Sequence, residues 1–367
     1  MFVSKHHYAV ELAKAGNEVY YINGPDQENK LKPGEIIITP TEITGLYLLE
    51  HRLFYPYIIK FKAQSLHHYL MRIHINNILK KINKKEGIVW SFDISNTIPL
   101  KCFPQSFTKI FMPVDEPLQP IAIKSAKGAQ IMFSVTEEIL NKYAEYPIPK
   151  HFINHGVAEF FFSSDGVSVQ NNPIHIGLSG NMLRPEIDHE TLLKIIEGNP
   201  NIIFDMWGTV NPSNSNLVAL KYANKNSLNF VNKLSSLKNV NLHGQLKPEK
   251  LAKELQTVDG FLICYDIQKD QSRGTNYHKV LEYLATGKVV VSNNISTYTK
   301  IPGLIEMVES RINNEELPRL FSNVISNISC YNSLEKQQQR INFAKNMTYK
   351  NQIEKINFFI NKMSVAG

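Results

Sequence analysis

The sequence predicts an α/β protein made of two doubly wound domains in tandem, on three observations. Short apolar segments of strand length alternate with helical segments along most of the chain, the pattern of parallel sheets covered by helices. The alternation falls into two series, separated at residues 163–173 by a stretch rich in Ser, Asn and Gly that reads as a linker. A length of 367 residues exceeds one ordinary core and suits two domains. The resulting division is 1–160 for the first domain and 174–345 for the second, with a last helical segment at 347–363.

Composition narrows the class. Hydrophobic residues at 43% and charged residues at 20% describe a globular chain and exclude disorder. Cys102, Cys264 and Cys330 are too widely spaced for a metal-type pair and read as free thiols of a reducing compartment. No apolar run reaches the ~18 residues of a spanning helix. The opening Met-Phe-Val-Ser-Lys lacks the apolar core of a signal peptide. A cytoplasmic protein is expected. The net charge of +7 permits attraction to phosphates or anionic lipid, but no basic-aromatic pattern accompanies it, so no nucleic-acid partner is expected.

In the first series, residues 8–15 form a short helix stopped by Gly16, and 18–23 a strand bounded by Gly24 and Pro25. An α/β domain normally starts with a strand, so a helix at residue 8 is an unusual opening. Ser4, His6 and His7 precede that helix as a polar cap. Residues 63–85 carry apolar Leu66, Leu70, Ile75, Ile78, Leu79 and Ile82 at helical spacing among many basic side chains. With Phe54, Tyr55, Tyr57, Ile58 and Ile59 ahead of it, this segment suits an anionic membrane surface; it suits equally an amphipathic helix packed on its own sheet. Strands are expected at 88–92, 109–112, 131–134 and 151–154. Asp93 follows one of them directly and Asp115 follows another. Carboxylates just past strand C-termini stand where open parallel sheets place functional groups, and both are candidates to orient a hydroxyl or act as a base. They are also common turn and cap residues.

The second series begins with a strand at 174–179 and the turn Gly180-Asn181. A helix at 191–197 and a strand at 202–206 follow, ending in Trp207-Gly208. A strand at 239–243 ends in Gly244-Gln245. A helix at 248–256 and a strand at 260–264 lead to Tyr265. The GxGxxG fingerprint of dinucleotide-binding dehydrogenases is absent. At the end of the chain, Ile353, Ile356, Ile360 and Met363 share one helical face.

The stretch 275–292 concentrates the chemistry. A polar loop with Asn276, His278 and Lys279 enters a short helix carrying Glu282; Gly287 stops the helix and Val289–Val291 starts a buried strand. A helix start rich in polar groups can hold a phosphate, Lys279 adds a mobile positive charge, and Glu282 can accept hydrogen bonds from hydroxyls. These groups fit the diphosphate and ribose of a nucleotide. They fit equally a plain loop–helix–strand unit with a solvated Lys and Glu.

The string Asn276-x-x-Lys279-x-x-Glu282-Tyr283-Leu284-Ala285-x-Gly287-Lys288 resembles the donor-site helix of GT-B glycosyltransferases related to the GT4 group. Weaker similarities at 4–19, 153–157, 174–188 and 239–265 follow in the same order. The resemblance implies the GT-B fold, two Rossmann-like domains facing across a cleft, with a nucleotide sugar (UDP- or GDP-linked) on the second domain and the acceptor on the first. It implies that a first strand precedes the segment 4–19, and hence that this strand is missing from the numbering, and that the last helix packs back on the first domain. Carried over residue by residue, Glu282 corresponds to the ribose-binding carboxylate and Lys279 and Asn276 to the diphosphate and sugar end. Gly180 and Asn181 correspond to the phosphate turn, and Trp207, Gly208, Gly244, Gln245 and Tyr265 to the walls of the donor site. Arg184 is a candidate to neutralise the leaving diphosphate, or else a surface Arg before Pro185. Ser4, His6 and His7 would face the donor phosphates. His155, in the His-Gly-Val element at the domain crossing, joins Asp93 and Asp115 as a catalytic candidate.

One departure stands out. Many GT4 members have a second glutamate seven residues before the one matching Glu282, and Gly274 stands in its place. The resemblance implies no metal and no other cofactor. It further implies a glycan or lipid-linked acceptor in bacterial cell-surface polysaccharide or lipopolysaccharide assembly, at the inner face of the membrane. Two other activities stay open at the level of sequence: a non-catalytic sugar-nucleotide- or glycan-binding module, and a GT-B epimerase.

Overall fold

The computed structural model describes residues 4–162, 171–211 and 225–366; most of the linker 163–173 lies outside them. The chain divides into two compact units, one made of Met1–Asn154 and Tyr349–Gly367, the other of His155–Thr348.

Among its described residues the first unit holds seven strands in two separate sheets. Strands β1 (Val19–Ile22), β2 (Ile36–Pro40) and β3 (Leu46–His51) make one, in the order β1-β3-β2, with β2 antiparallel to β3. Strands β4 (Gly87–Ser91), β5 (Phe107–Phe111), β6 (Ile131–Ser134) and β7 (Lys150–Phe152) make a parallel sheet in sequential order. Among the described residues β1 and β4 are therefore both edge strands, and no strand lies between them.

Helices bind the two sheets together. In α1 (Ser4–Lys14), Ala9 and Ala13 pack with Leu46 of β3, while the Tyr8 ring lies 4.9 Å from that of Trp90 on β4. In α3 (Gln64–Lys81), Met71, Ile75 and Leu79 pack with Phe107, and Ile78 packs with Ile36 and Leu49. The last helix, α13 (Tyr349–Ala366), puts Tyr349, Ile353, Ile356 and Ile360 into the core built on β5 and β6. That face is the apolar stripe spaced at three and four residues in the sequence.

Two strands of this unit, β2 and β3, are unexpected from the sequence. Their burial alternates, and Pro40, Glu50 and His51 interrupt the apolar pattern that marks the buried strands.

Among its described residues the second unit has one parallel sheet of six strands: β8 (His175–Ser179), β9 (Ile203–Trp207), β10 (Val240–Gly244), β11 (Gly260–Ile263), β12 (Val289–Ser292) and β13 (Glu306–Met307). Their spatial order is β10-β9-β8-β11-β12-β13. The chain winds outward from β8 in one direction and then, from β11, in the other. The order reverses between β8 and β11, and in open α/β sheets that is where the strand ends open a ligand crevice. Helix α6 (His189–Glu197) starts at Asp188, whose carboxylate accepts from the Thr191 N–H at 3.1 Å, an N-cap that satisfies an otherwise unpaired donor.

Candidate functional site at the switch point of the second sheet

Three strand ends are stitched together by backbone. The Gly180 N–H, just past β8, donates to the Trp207 carbonyl at 2.9 Å, and the Gly208 N–H, just past β9, donates to the Gly244 carbonyl at 2.7 Å. Gly208 has φ +140°, and a Cβ there would stand 1.6 Å from the Gly180 carbonyl oxygen. Only glycine fits this crossing. At Gly180 an added Cβ would stand 2.8 Å from the Lys279 ammonium, so the bare backbone leaves the room that Lys279 occupies.

Lys279 is the first residue of α9 (Lys279–Ala285). Its ammonium donates to the Ser179 carbonyl at the end of β8 and, at 2.8 Å, to the Tyr265 hydroxyl just past β11. One cation thus bridges the two strand ends that flank the switch point. Burial works against this ammonium, but the Tyr265 oxygen that accepts from it and the nearby Tyr283 together outweigh that, and its pKa lies above the ordinary lysine value. It is charged at neutral pH. Four residues on, one helical turn, the Tyr283 hydroxyl accepts from the Ser179 N–H at 2.7 Å and lies 2.9 Å from the Ser179 Oγ. Its ring stacks on Phe261 at 4.0 Å. Lys279 and Tyr283 together tie α9 to the end of β8.

Arg184 stands close by, with its guanidinium carbon 5.9 Å from the Tyr265 ring centre, where Lys279 lies at 5.1 Å. Its Nε and Nη2 are held by the two oxygens of Glu186 at 3.2 and 3.3 Å. Burial lowers the pKa of Arg184, but the Glu186 hydrogen bonds and the charges of Tyr265, Glu186 and Asp270 together outweigh it, and the net shift is upward. Two cations therefore converge on one ring, and among the described residues only Arg184 has a carboxylate partner in hydrogen-bonding range.

Glu282 lies on the same helix, with its Oε1 3.2 Å from the Nδ1 of His278. The His278 ring meets that of His155 edge-on at 5.4 Å. Burial, with His278 as a lesser cause, pushes His155 down to about 3, so it is neutral at physiological pH.

The loop ahead of α9 turns on Asp270, which the sequence reading missed. Its Oδ2 accepts from the Ser272 hydroxyl at 2.6 Å, the Gly274 N–H at 3.0 Å and the Tyr277 hydroxyl at 2.8 Å. Gly274 adopts φ +67°, and a Cβ there would stand 2.6 Å from the Asn294 carbonyl. No acidic side chain fits at 274, so the missing glutamate is a consequence of how this loop folds. Asn276 is buried two residues on.

Other predicted residues have structural tasks. The Asn181 side chain accepts from the Leu183 N–H at 3.0 Å and closes its own turn. Trp207 is a core residue whose ring stacks on His243 at 5.0 Å. Gln245 donates to the Thr209 hydroxyl beside Gly208.

In the first unit, the Asp93 carboxylate accepts from the Ser95, Thr97 and Ile98 N–H groups and so builds the loop after β4. Asp115 is exposed in the loop after β5. Ser4 opens α1, the His6 ring stacks on Tyr21 at 5.0 Å, and the His7 ring stacks on Tyr349 at 4.7 Å. The structure thus gathers Gly180, Arg184, Tyr265, Lys279 and Glu282 at one end of the second sheet. Ser179 and Tyr283 belong with them, and the sequence signal for Tyr283 is its place one turn after Lys279.

No family model matches the sequence, and no curated protein matches it. Solved structures do match. Sucrose-phosphate synthase from Thermosynechococcus elongatus aligns with a TM-score of 0.68 at 12% identity, over 99% of this chain and 93% of that one. An E. coli trehalose-6-phosphate structure bound with UDP-2-fluoro glucose aligns with a TM-score of 0.70 at 10% identity, over 99% and 96%. An α,α-trehalose-phosphate synthase (UDP-forming) from Burkholderia xenovorans, in complex with glucose-6-phosphate, gives 0.68 at 8% identity, over 99% and 97%. The chain has the GT-B fold of Rossmann-like α/β units.

Proposed function

We propose that the protein is a glycosyltransferase that takes a sugar from a nucleotide sugar held at the switch point of the second unit. The observation that carries this reading is the Lys279 ammonium, charged and held by oxygens from β8 and from the loop after β11. It stands where a GT-B donor domain needs a cation for the diphosphate. Breaking the glycosidic bond builds negative charge on the leaving diphosphate, and a fixed cation beside it lowers the barrier. Arg184 supplies a second positive group, held in orientation by Glu186. Glu282 accepts from the ribose hydroxyls, Asn276 meets the sugar end, and the backbone at Gly208, Gly244 and Gln245 holds the base. The UDP named with the structural relatives favours a uridine nucleotide. Among the catalytic candidates, neutral His155 can exchange a hydrogen bond without a charge, and Asp115, exposed in the loop after β5, is the acid assigned to an acceptor hydroxyl.

The acceptor we propose is a glycan or a lipid-linked sugar of a bacterial surface polysaccharide, met on the cytoplasmic face of the membrane. Support comes from the outer side of α3 and the segment before it. Phe61 is 70% exposed and Tyr69 61% exposed; Ile58, Leu66 and Ile73 are exposed too, among Lys60, Lys62 and Arg72. That mixture suits peripheral attachment to anionic lipid. No described helix is long and apolar enough to cross a membrane.

A non-catalytic sugar-nucleotide-binding protein is the second reading, favoured by the Arg184–Glu186 fork and by the lack of an acid at 274. Thermal stability against UDP, GDP, ADP and their sugars tests the donor site. A nucleotide at a hundred times its dissociation constant stabilises by roughly 2.7 kcal/mol. A shift with one nucleotide, abolished in Lys279→Ala and Glu282→Ala, is expected. No shift with any nucleotide in the folded protein sinks both readings, and release of sugar from a bound donor decides between them.

A further inference from the structure

We propose that the first unit carries a second ligand site, a basic pocket that takes a phosphate-bearing group, either a phosphomonoester or a diphosphate. The pocket has a volume of about 250 Å³ and is lined by Gln64, Asn96, Pro99, Lys101, Lys124, Lys127 and Tyr146. It lies between the start of α3, the loop after β4 and α4 (Pro120–Lys124). Pockets for drug-sized ligands run from about 300 to 1,000 Å³, so this one suits a small headgroup.

The fold brings its three lysines together on purpose-built backbone. Gly128 has φ +96°, and a Cβ there would stand 2.6 Å from both the N and the Cα of Lys101. The turn that carries Lys127 is thereby pressed onto the residue that carries Lys101, with no room for a side chain between them. On the opposite wall Asn96 is buried with φ +51°, in the loop that Asp93 organises.

The lysines are also uncompensated. Among the described residues none of Lys101, Lys124 and Lys127 forms an ion pair, and neither does the neighbouring Arg72. Burial lowers the pKa of Lys101, and Lys127 and Arg72 lower it further. Burial and then the charges of Lys101, His67, Arg72 and Lys127 push His68, on the adjoining helix, down to about 4. Like charges held in a recess without counter-charge favour an anion there. Gln64, Asn96 and Tyr146 add neutral hydrogen-bonding groups around a tetrahedral oxyanion, and lysines serve phosphate as point charges. Burial, and then the charge of the neighbouring Glu145, raise the pKa of Tyr146. This site is independent of the donor reading, since every residue in it belongs to the first unit.

The test is calorimetric titration of the full chain with inorganic pyrophosphate. The comparison is with Lys124→Ser/Lys127→Ser, both exposed positions whose loss leaves the core intact, and with Lys279→Ala. The dissociation constant is expected to rise about tenfold or more in the double variant, as two charge-assisted contacts are lost. Lys279→Ala should keep the pyrophosphate binding that the double variant loses, and the double variant should keep any thermal shift with nucleotides. Flotation with phosphatidylglycerol vesicles separates two sources of the group: co-flotation lost in the double variant assigns a lipid headgroup, and pyrophosphate binding without flotation assigns a soluble phosphoester. Absence of pyrophosphate binding, equal binding by the double variant, or binding lost only in Lys279→Ala overturns the proposal.

Discussion

Replacing Gly208 by alanine should damage the second unit more than its single added methyl implies. The new Cβ would lie 1.6 Å from the Gly180 carbonyl oxygen, far inside contact distance, and φ +140° is a region side chains rarely enter. Holding that conformation costs about 1–3 kcal/mol. Relieving the overlap also means moving the end of β9 away from the ends of β8 and β10. That breaks the Gly180 N–H to Trp207 and Gly208 N–H to Gly244 bonds, worth about 1 kcal/mol each. Together the loss is about 4 kcal/mol, or a fall in Tm of about 12 °C for a domain of this size. Gly244→Ala is the control: its φ of +73° also strains a side chain, but nothing lies within 4 Å of the new Cβ. It should cost only about 1–2 kcal/mol. Urea and thermal denaturation of the three proteins provide the measurement. If Gly208→Ala and Gly244→Ala lose similar stability, the interlocked strand ends are not what holds the Gly180 turn in place.

Tyr283→Phe removes the hydroxyl that serves both the N–H and the Oγ of Ser179, leaving a buried donor unmet; urea denaturation should show a loss of about 2 kcal/mol. His51 and His74, each 1% exposed, share a hydrogen bond of 2.8 Å that requires at least one neutral ring, and burial lowers both, His74 to about 4. The folded state therefore binds fewer protons than the unfolded one between about pH 4 and 6.5, so this stability is complete above about pH 6.5 and is lost as the pH falls. Between pH 7 and 4.5 the urea midpoint should drop by the equivalent of about 3 kcal/mol from this site. His74→Gln should flatten that dependence, and an unchanged pH profile in the variant would remove the pair as its cause. Sugar transfer should proceed undiminished in excess EDTA; activity abolished by the chelator and restored by Mg²⁺ or Mn²⁺ would show that a metal shares the diphosphate with Lys279.

The parts of this fold that are plain in the sequence are those buried on both faces. Strands β6, β11 and β12 are buried at every position and read as unbroken apolar runs. The face of α13 repeats every three or four residues and needs no tertiary information. By contrast β2 and β3 are half exposed, and β13 has only two residues, too few for any periodicity. The site divides in the same way. Gly180, Gly208 and Lys279 are picked out by the resemblance to a donor site, and the coordinates add the close approach or hydrogen bond that each one makes. The pairing of Arg184 with Glu186, only two residues away, is set by how the 181–188 loop folds. Asp270 sits among Lys, Gln and Ser in a segment with no periodic signal, so its role in shaping the loop before α9 appears only with the coordinates.

The divided sheet of the first unit bears on how the protein behaves in company. The side of β1 away from β3, and the side of β4 away from β5, present backbone donors and acceptors with no neighbouring strand among the described residues. Such rims are templates on which a further extended segment can add, and natural proteins guard them with charge. Here Glu18, at the start of β1, pairs with Lys84, just ahead of β4, so one ion pair spans the entrance to both rims. Salt screens an exposed pair of this kind. The guard is weakest in concentrated salt, and a further extended segment, of this chain or of another, would add at this place.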